Sequence, residues 1–148
     1  DIHQYLLENP EGGAALVIAT DQADTEIILV GHKKSCGNSW NLPGGKYKQK
    51  DQNRLNTAHR EFFEETGLRA NFLWPCYSFV WSGERTPLHA KSVYRAHVEN
   101  LHLHKKFGDN GAPVRVFRLS ELGKISLLFH HRKILTRARA LPTWNRKE

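Results

Sequence analysis

The sequence predicts one domain that mixes strands with helices, of α/β or α+β class, and three observations carry that expectation. A chain of 148 residues can bury one core, and 39% hydrophobic with 25% charged residues is ordinary globular composition. Short β-branched runs recur from end to end, and between them two segments place apolar residues at helical rather than alternating spacing. No repeat, low-complexity tract or linker divides the chain, so residues 1–148 read as a single domain ending in a basic helix and tail, about 126–148.

Taken in order, AALVIAT (14–20) and EIILVG (26–31) flank the turn-forming DQADT and read as a hairpin. The polar HKKSCGNSW leads to WNLPGG. Residues 51–66 lack Gly and Pro and place Leu55, Ala58, Phe62 and Thr66 on one face of a helix, with Asp51 as expected N-cap and Gly67 as the stop. RANFLWPCYSFVW (69–81), KSVYRAHV (91–98) and VRVFRL (114–119) read as strands. SLLFHHRKILTRARA (126–140) reads as a second helix with Leu128, His131, Leu135 and Ala138 inward and basic flanks.

Several function classes are disfavoured by composition. Cys36 and Cys76 have no Cys or His at ligand spacing, so both are expected as free thiols rather than zinc ligands or a disulfide. The nine histidines include His97, His102 and His104 at a strand end and loop, and the neighbours His130 and His131, which cannot share a helix face; all are expected solvated or at the core edge. No apolar run approaches eighteen residues and no leader is visible, so the expectation is a soluble, intracellular protein without membrane contact. The sequence has no Met, even at position 1, which reads as a processed or excised chain and leaves the compartment and oligomeric state open.

Charge is unevenly spread. From His130 onward Arg132, Lys133, Arg137, Arg139, Arg146 and Lys147 face Glu148 alone, a large share of the net +7. Such a tail suits a polyanion, RNA among them, as well as it suits plain solvation.

The chemistry concentrates in WNLPGGKYKQKDQNRLNTAHREFFEETGL, residues 40–68. On a helix, Glu61 and Glu65 flank one edge of the apolar stripe and Glu64 lies further toward solvent. Like charges at i,i+3 and i,i+4 cost a few tenths of a kcal/mol, roughly, per pair. Mg²⁺ would offset that, since it takes oxygen ligands and is held by one or two carboxylates plus substrate phosphates. Gly44 and Gly45 allow close backbone approach, and Lys46, Lys48 and Arg54 are placed to bind a phosphate chain.

This stretch resembles the signature of the Nudix hydrolases: a glycine, a spaced acid, then Arg-Glu-apolar-x-Glu-Glu-x-Gly-apolar, matched at every defined position from Arg60 to Leu68. The resemblance implies a single-domain α/β/α sandwich with a mixed β-sheet. It implies Mg²⁺ or Mn²⁺ as cofactor, held by Glu61, Glu64, Glu65 and the Gly45 carbonyl, with Arg60 orienting the carboxylates. Glu61, Glu64 and Arg60 would be the catalytic set, and the metal would polarise the P–O bond and activate water.

Two departures stand out. Five residues separate Gly45 from Asp51, as the family has it, but eight rather than seven then precede Arg60, so either an insertion follows Asp51 or Gln52 fills the acid's slot. The late-loop Glu of many members is also missing. Asp109 in GDNG is the candidate there, against a plain turn role. Trp40, Trp74, Trp81 and Tyr77 could stack on a base, though core packing is the commoner use. The expected activity is pyrophosphohydrolysis of a nucleoside diphosphate derivative, favouring a 5′-phosphorylated or capped RNA end. A small-molecule substrate (dinucleoside polyphosphate, ADP-ribose or damaged nucleotide) and a non-catalytic RNA-binding module are the alternatives.

Overall fold

The computed structural model describes every residue except 33–38, 84, 86 and 146–148. Cys36 and the tail residues Arg146 and Lys147 therefore lie outside the described residues.

The helix α1 (Ile2–Glu8) precedes the strands β1 (Ala14–Thr20) and β2 (Glu26–Gly31), which pair antiparallel as the hairpin expected. Short strands β3 (Trp40–Asn41) and β4 (Gly44–Lys46) bracket Leu42 and Pro43, and α2 spans Arg54–Thr66. Then follow β5 (Trp74–Trp81), β6 (His89–His97), β7 (Val114–Arg118) and α3 (Phe129–Arg139). They form a single α/β domain around one mixed sheet, in which β1 and β6 run parallel while the other strand-to-strand pairings among the described residues are antiparallel.

Alternation along β1 divides the core. Ala15, Val17 and Ala19 face the α2 side with Ala58 and Phe62, whereas Leu16 and Ile18 face the α3 side with Ile134, Leu135 and Ala138. Both faces of β1 are covered, which is why its burial is unbroken. One edge of β1 belongs to β6; the other is shared, by β4 at its start and by β2 at its end. Because two strands divide one edge, a cleft opens where β2 and β3 part from β4, floored by Ala14 and Leu16.

The structure corrects three element expectations. Helix α2 begins at Arg54, with Asn53 rather than Asp51 as N-cap, its side chain accepting from the Asn56 N–H. Leu55 is exposed, because the first turn packs Arg54 against residues 7–11 instead of presenting Leu55 to the sheet. The helix α1 had no signal in sequence, for it buries none of its own residues. Gly67 does stop α2, in the left-handed conformation. No helix among the described residues is long and apolar enough to cross a membrane.

Candidate active site

Arg60 is the hub of the site. Its Nε and Nη2 donate to the two carboxylate oxygens of Asp51 at 2.8 and 2.9 Å, a bidentate pair. Its Nη1 donates to Glu61 at 2.9 Å and to Glu64 at 3.2 Å, while Nη2 also reaches the Lys46 carbonyl at 3.2 Å. One guanidinium thus ties three carboxylates of one region to the glycine-turn strand β4.

Asp51 is 5% exposed and further held by the Thr57 hydroxyl and the Lys48 N–H. The hydrogen-bonded Arg60 is the main reason its carboxyl lies far below the usual carboxylate range. Of the two readings of the long spacing, the geometry selects Asp51 as the spaced acid. The extra residue is Gln52, which is exposed and takes φ 71°, a left-handed kink that lets the backbone advance one residue without moving Asp51 away from Arg60.

Glu65 is handled differently. Its Oε1 accepts the Gly44 N–H at 2.8 Å, but burial, reinforced by the charges of Glu61 and Glu64, pushes its carboxyl up to about 8. Glu61 is raised as well, chiefly by burial and against the pull of Arg60. The Glu61 carboxylate lies directly against Gly45: a Cβ there would come within 2.4 Å of its carboxyl carbon and push that side chain out of its present place. Glu64, whose side chain is 36% exposed, is the outermost of the three, as the helix wheel requires.

These donors suit a hard divalent cation, being all oxygen, and a bound cation would favour the ionised form of the buried Glu65. Among the described residues no group of three His, Cys, Asp or Glu side chains is placed so as to hold a metal ion. Glu61 and Glu64 turn toward Arg60 and Glu65 toward Gly44.

The cleft of about 480 Å³ continues from Gly44, Gly45 and Glu65 past Asn41 and Asn110 to Trp81, Lys91 and His131, a size in the range of small-molecule sites. Lys46 lines it, and Lys48 lies close enough to Glu61 to oppose its protonation. Arg54 does not belong there. It is 5% exposed and donates to Ser92, Glu11 and Leu7 from within the fold, so the expectation that it binds substrate is overturned. Asp109 lies in a turn, exposed, with its carboxylate 2.7 Å from Lys105 Nζ, in keeping with the turn role. Trp40 and Trp74 pack in or against the core, while Trp81 alone of the four aromatic candidates lines the cleft.

His131 is a site residue whose place sequence reasoning missed. Its Nδ1 accepts the Leu42 N–H at 2.9 Å, which assigns the ring hydrogen to Nε2. Burial, with His130 and Lys91 nearby, depresses it to about 3, so the ring is neutral. The only signal was its place on the inward face of α3 after WNLPGG, too far apart in sequence to be joined by spacing.

A mixed sheet between helices, with acids and a glycine turn beside a cleft, defines an α/β/α sandwich domain. The NUDIX domain family model matches residues 10–138, and the chain belongs to that family. Among solved structures, the NUDIX domain of Shewanella oneidensis NrtR complexed with ADP ribose superposes with TM-score 0.67 at 16% identity, over 92% of this chain and 90% of that one. The Bacillus subtilis pyrophosphohydrolase BsRppH gives 0.65 at 22%, over 89% and 80%. The MutT protein of Bacillus halodurans gives 0.63 at 18%, over 84% and 80%. No curated protein sequence matches significantly.

Proposed function

We propose that the protein is a Mg²⁺- or Mn²⁺-dependent pyrophosphohydrolase that cuts a phosphoanhydride bond in a nucleoside diphosphate derivative, with the 5′-phosphorylated or capped end of an RNA as the favoured substrate. The observation that carries this is Glu61 against Gly45 and Glu65 against Gly44 beside the cleft, with Glu64 joined to Glu61 through Arg60. The bound cation would neutralise phosphate charge and lower the pKa of a ligand water. Glu61, Glu64 and Glu65 hold it, with the Gly45 carbonyl as a further oxygen. Arg60, fixed by Asp51, keeps Glu61 and Glu64 in position. Lys46 and Lys48 meet the diphosphate, and Glu61 or Glu64 accepts the proton of the attacking water.

Glu65→Gln and Glu61→Gln should each lower turnover by about a hundredfold or more while the fold is kept, because each removes an anionic oxygen donor to the cation. The assay is hydrolysis of a panel spanning dinucleotides, ADP-ribose, deoxynucleoside triphosphates and triphosphorylated RNA with Mg²⁺ and Mn²⁺. Near wild-type rates in either variant would remove the mechanism. A small-molecule substrate remains the second reading, favoured by the cleft's dimensions.

A further inference from the structure

The outermost strand β5 carries a feature that hydrolysis at the glycine turn does not use. Its pairing with β6 slips between Pro75 and Tyr77, a bulge that sets Cys76 and Tyr77, neighbours in sequence, against the same α3-side core. From there Tyr77, Phe79 and Trp81 follow at alternate positions on that face. The rings of Tyr77 and Phe79 stack at 5.7 Å, and Trp81 stacks on His130 at 5.2 Å.

Facing this aromatic ladder, α3 contributes Lys133 and Arg137, one turn apart. The Arg137 guanidinium lies 4.8 Å over Tyr77, and Lys91 Nζ lies 4.8 Å over Trp81. The ladder, His130, Ile134, Lys133 and Arg137 line a groove of about 300 Å³ that, among the described residues, contains no acid. Trp81 lines both this groove and the catalytic cleft, and the adjacent residues His130 and His131 lie in the groove and the cleft respectively. The groove therefore adjoins the cleft across Trp81.

We propose that this groove binds the nucleotides that follow the 5′ end of a single-stranded RNA whose terminal phosphates sit at the Gly44–Gly45 turn. The inference rests on the reading of that turn as a diphosphate site. Each base offers a π face to the aromatic ladder irrespective of sequence. Because the Tyr77 and Phe79 rings already stack on each other at 5.7 Å, less than the roughly 6.8 Å that an inserted base would need, bases pack against the ladder rather than between its rings. The phosphates then run along Lys133 and Arg137. A free nucleotide has nothing to place there, so the groove serves only a chain. Arg132 is not part of this surface, since its guanidinium donates to the Leu122 and Ile125 carbonyls.

The test compares 5′-triphosphorylated RNAs of one, two and five nucleotides, read as kcat/KM with Mg²⁺ and as equilibrium binding without it. In the wild type both should improve about tenfold from one to five nucleotides. The paired exposed changes Lys133→Glu and Arg137→Glu should abolish that gain and cut the log–log salt slope of binding by about 1.4, two contacts at 0.7 each. Phe79→Ala should reduce the gain without changing the salt slope, separating stacking from charge. Turnover of the one-nucleotide substrate with no gain on lengthening overturns the groove while the hydrolase reading stands. Absence of turnover with the binding gain intact overturns the hydrolase reading and supports the groove. An equal gain with DNA of the same length overturns the assignment to RNA.

Discussion

Asp51 illustrates how much one side chain can decide here. Its carboxylate takes two of the five donors of Arg60, and the same guanidinium then steadies Glu61 and Glu64. Asp51→Asn should therefore cost about 3 kcal/mol of stability, the scale for breaking one partner of a buried pair, and should lower turnover through loss of Glu61 and Glu64 positioning. The sign of its pH dependence follows from the depressed carboxyl: the pair contributes fully above about pH 4, the unfolded value, and its contribution is lost as pH falls. Urea unfolding of wild type and variant at pH 7 and pH 3 checks both, the difference shrinking at low pH. A variant as stable as wild type at pH 7 would show Arg60 satisfied without it.

At the scale of elements, Arg54 ties α1 and the following turn to α2 and β6, through the Leu7 and Glu11 carbonyls and the Ser92 hydroxyl. Arg54→Ala should lower the melting temperature and speed hydrogen exchange in residues 7–11 while leaving KM for a dinucleotide unchanged. A raised KM with normal stability would return Arg54 to the substrate. In the sequence, β1, β2, β6 and β7 were legible because β-branched runs between turn residues have few other outcomes. The glutamates and Arg60 were legible because helical spacing fixes their common edge. What stayed hidden depended on distant contacts: the exposed helix α1, the burial of Arg54 in place of Leu55, and the meeting of Leu42 with His131 across 89 positions.

For the whole molecule, the sheet is closed on its α3 side by groups that do not tolerate protonation or loss. His131 joins α3 to Leu42, two residues before Gly44, and stays neutral, with its value depressed to about 3. In the unfolded chain the same ring takes a proton near pH 6.5. Between those values the unfolded state binds more protons, so stability falls as pH drops from about 6.5 toward 3. Denaturant midpoints measured from pH 7 to pH 4 should decline, and His131→Gln should flatten the decline. An identical slope in the variant would assign the acid sensitivity elsewhere. Arg95, fully buried, lies 3.7 Å from the Trp144 ring and pairs with Asp24 at 3.0 Å, fixing the end of the described chain onto β6.

The kink at Gln52 bears on how such chains are recognised. A written pattern that demands seven residues between acid and arginine rejects this protein, although the pairing that the pattern stands for is intact at 2.8 Å. One residue turned left-handed and pointed at water absorbs the difference in length, and nothing in the site registers it. Spacing rules inside a motif hold only as tightly as the backbone between the fixed points is packed. A single exposed turn is enough to make an otherwise strict interval elastic.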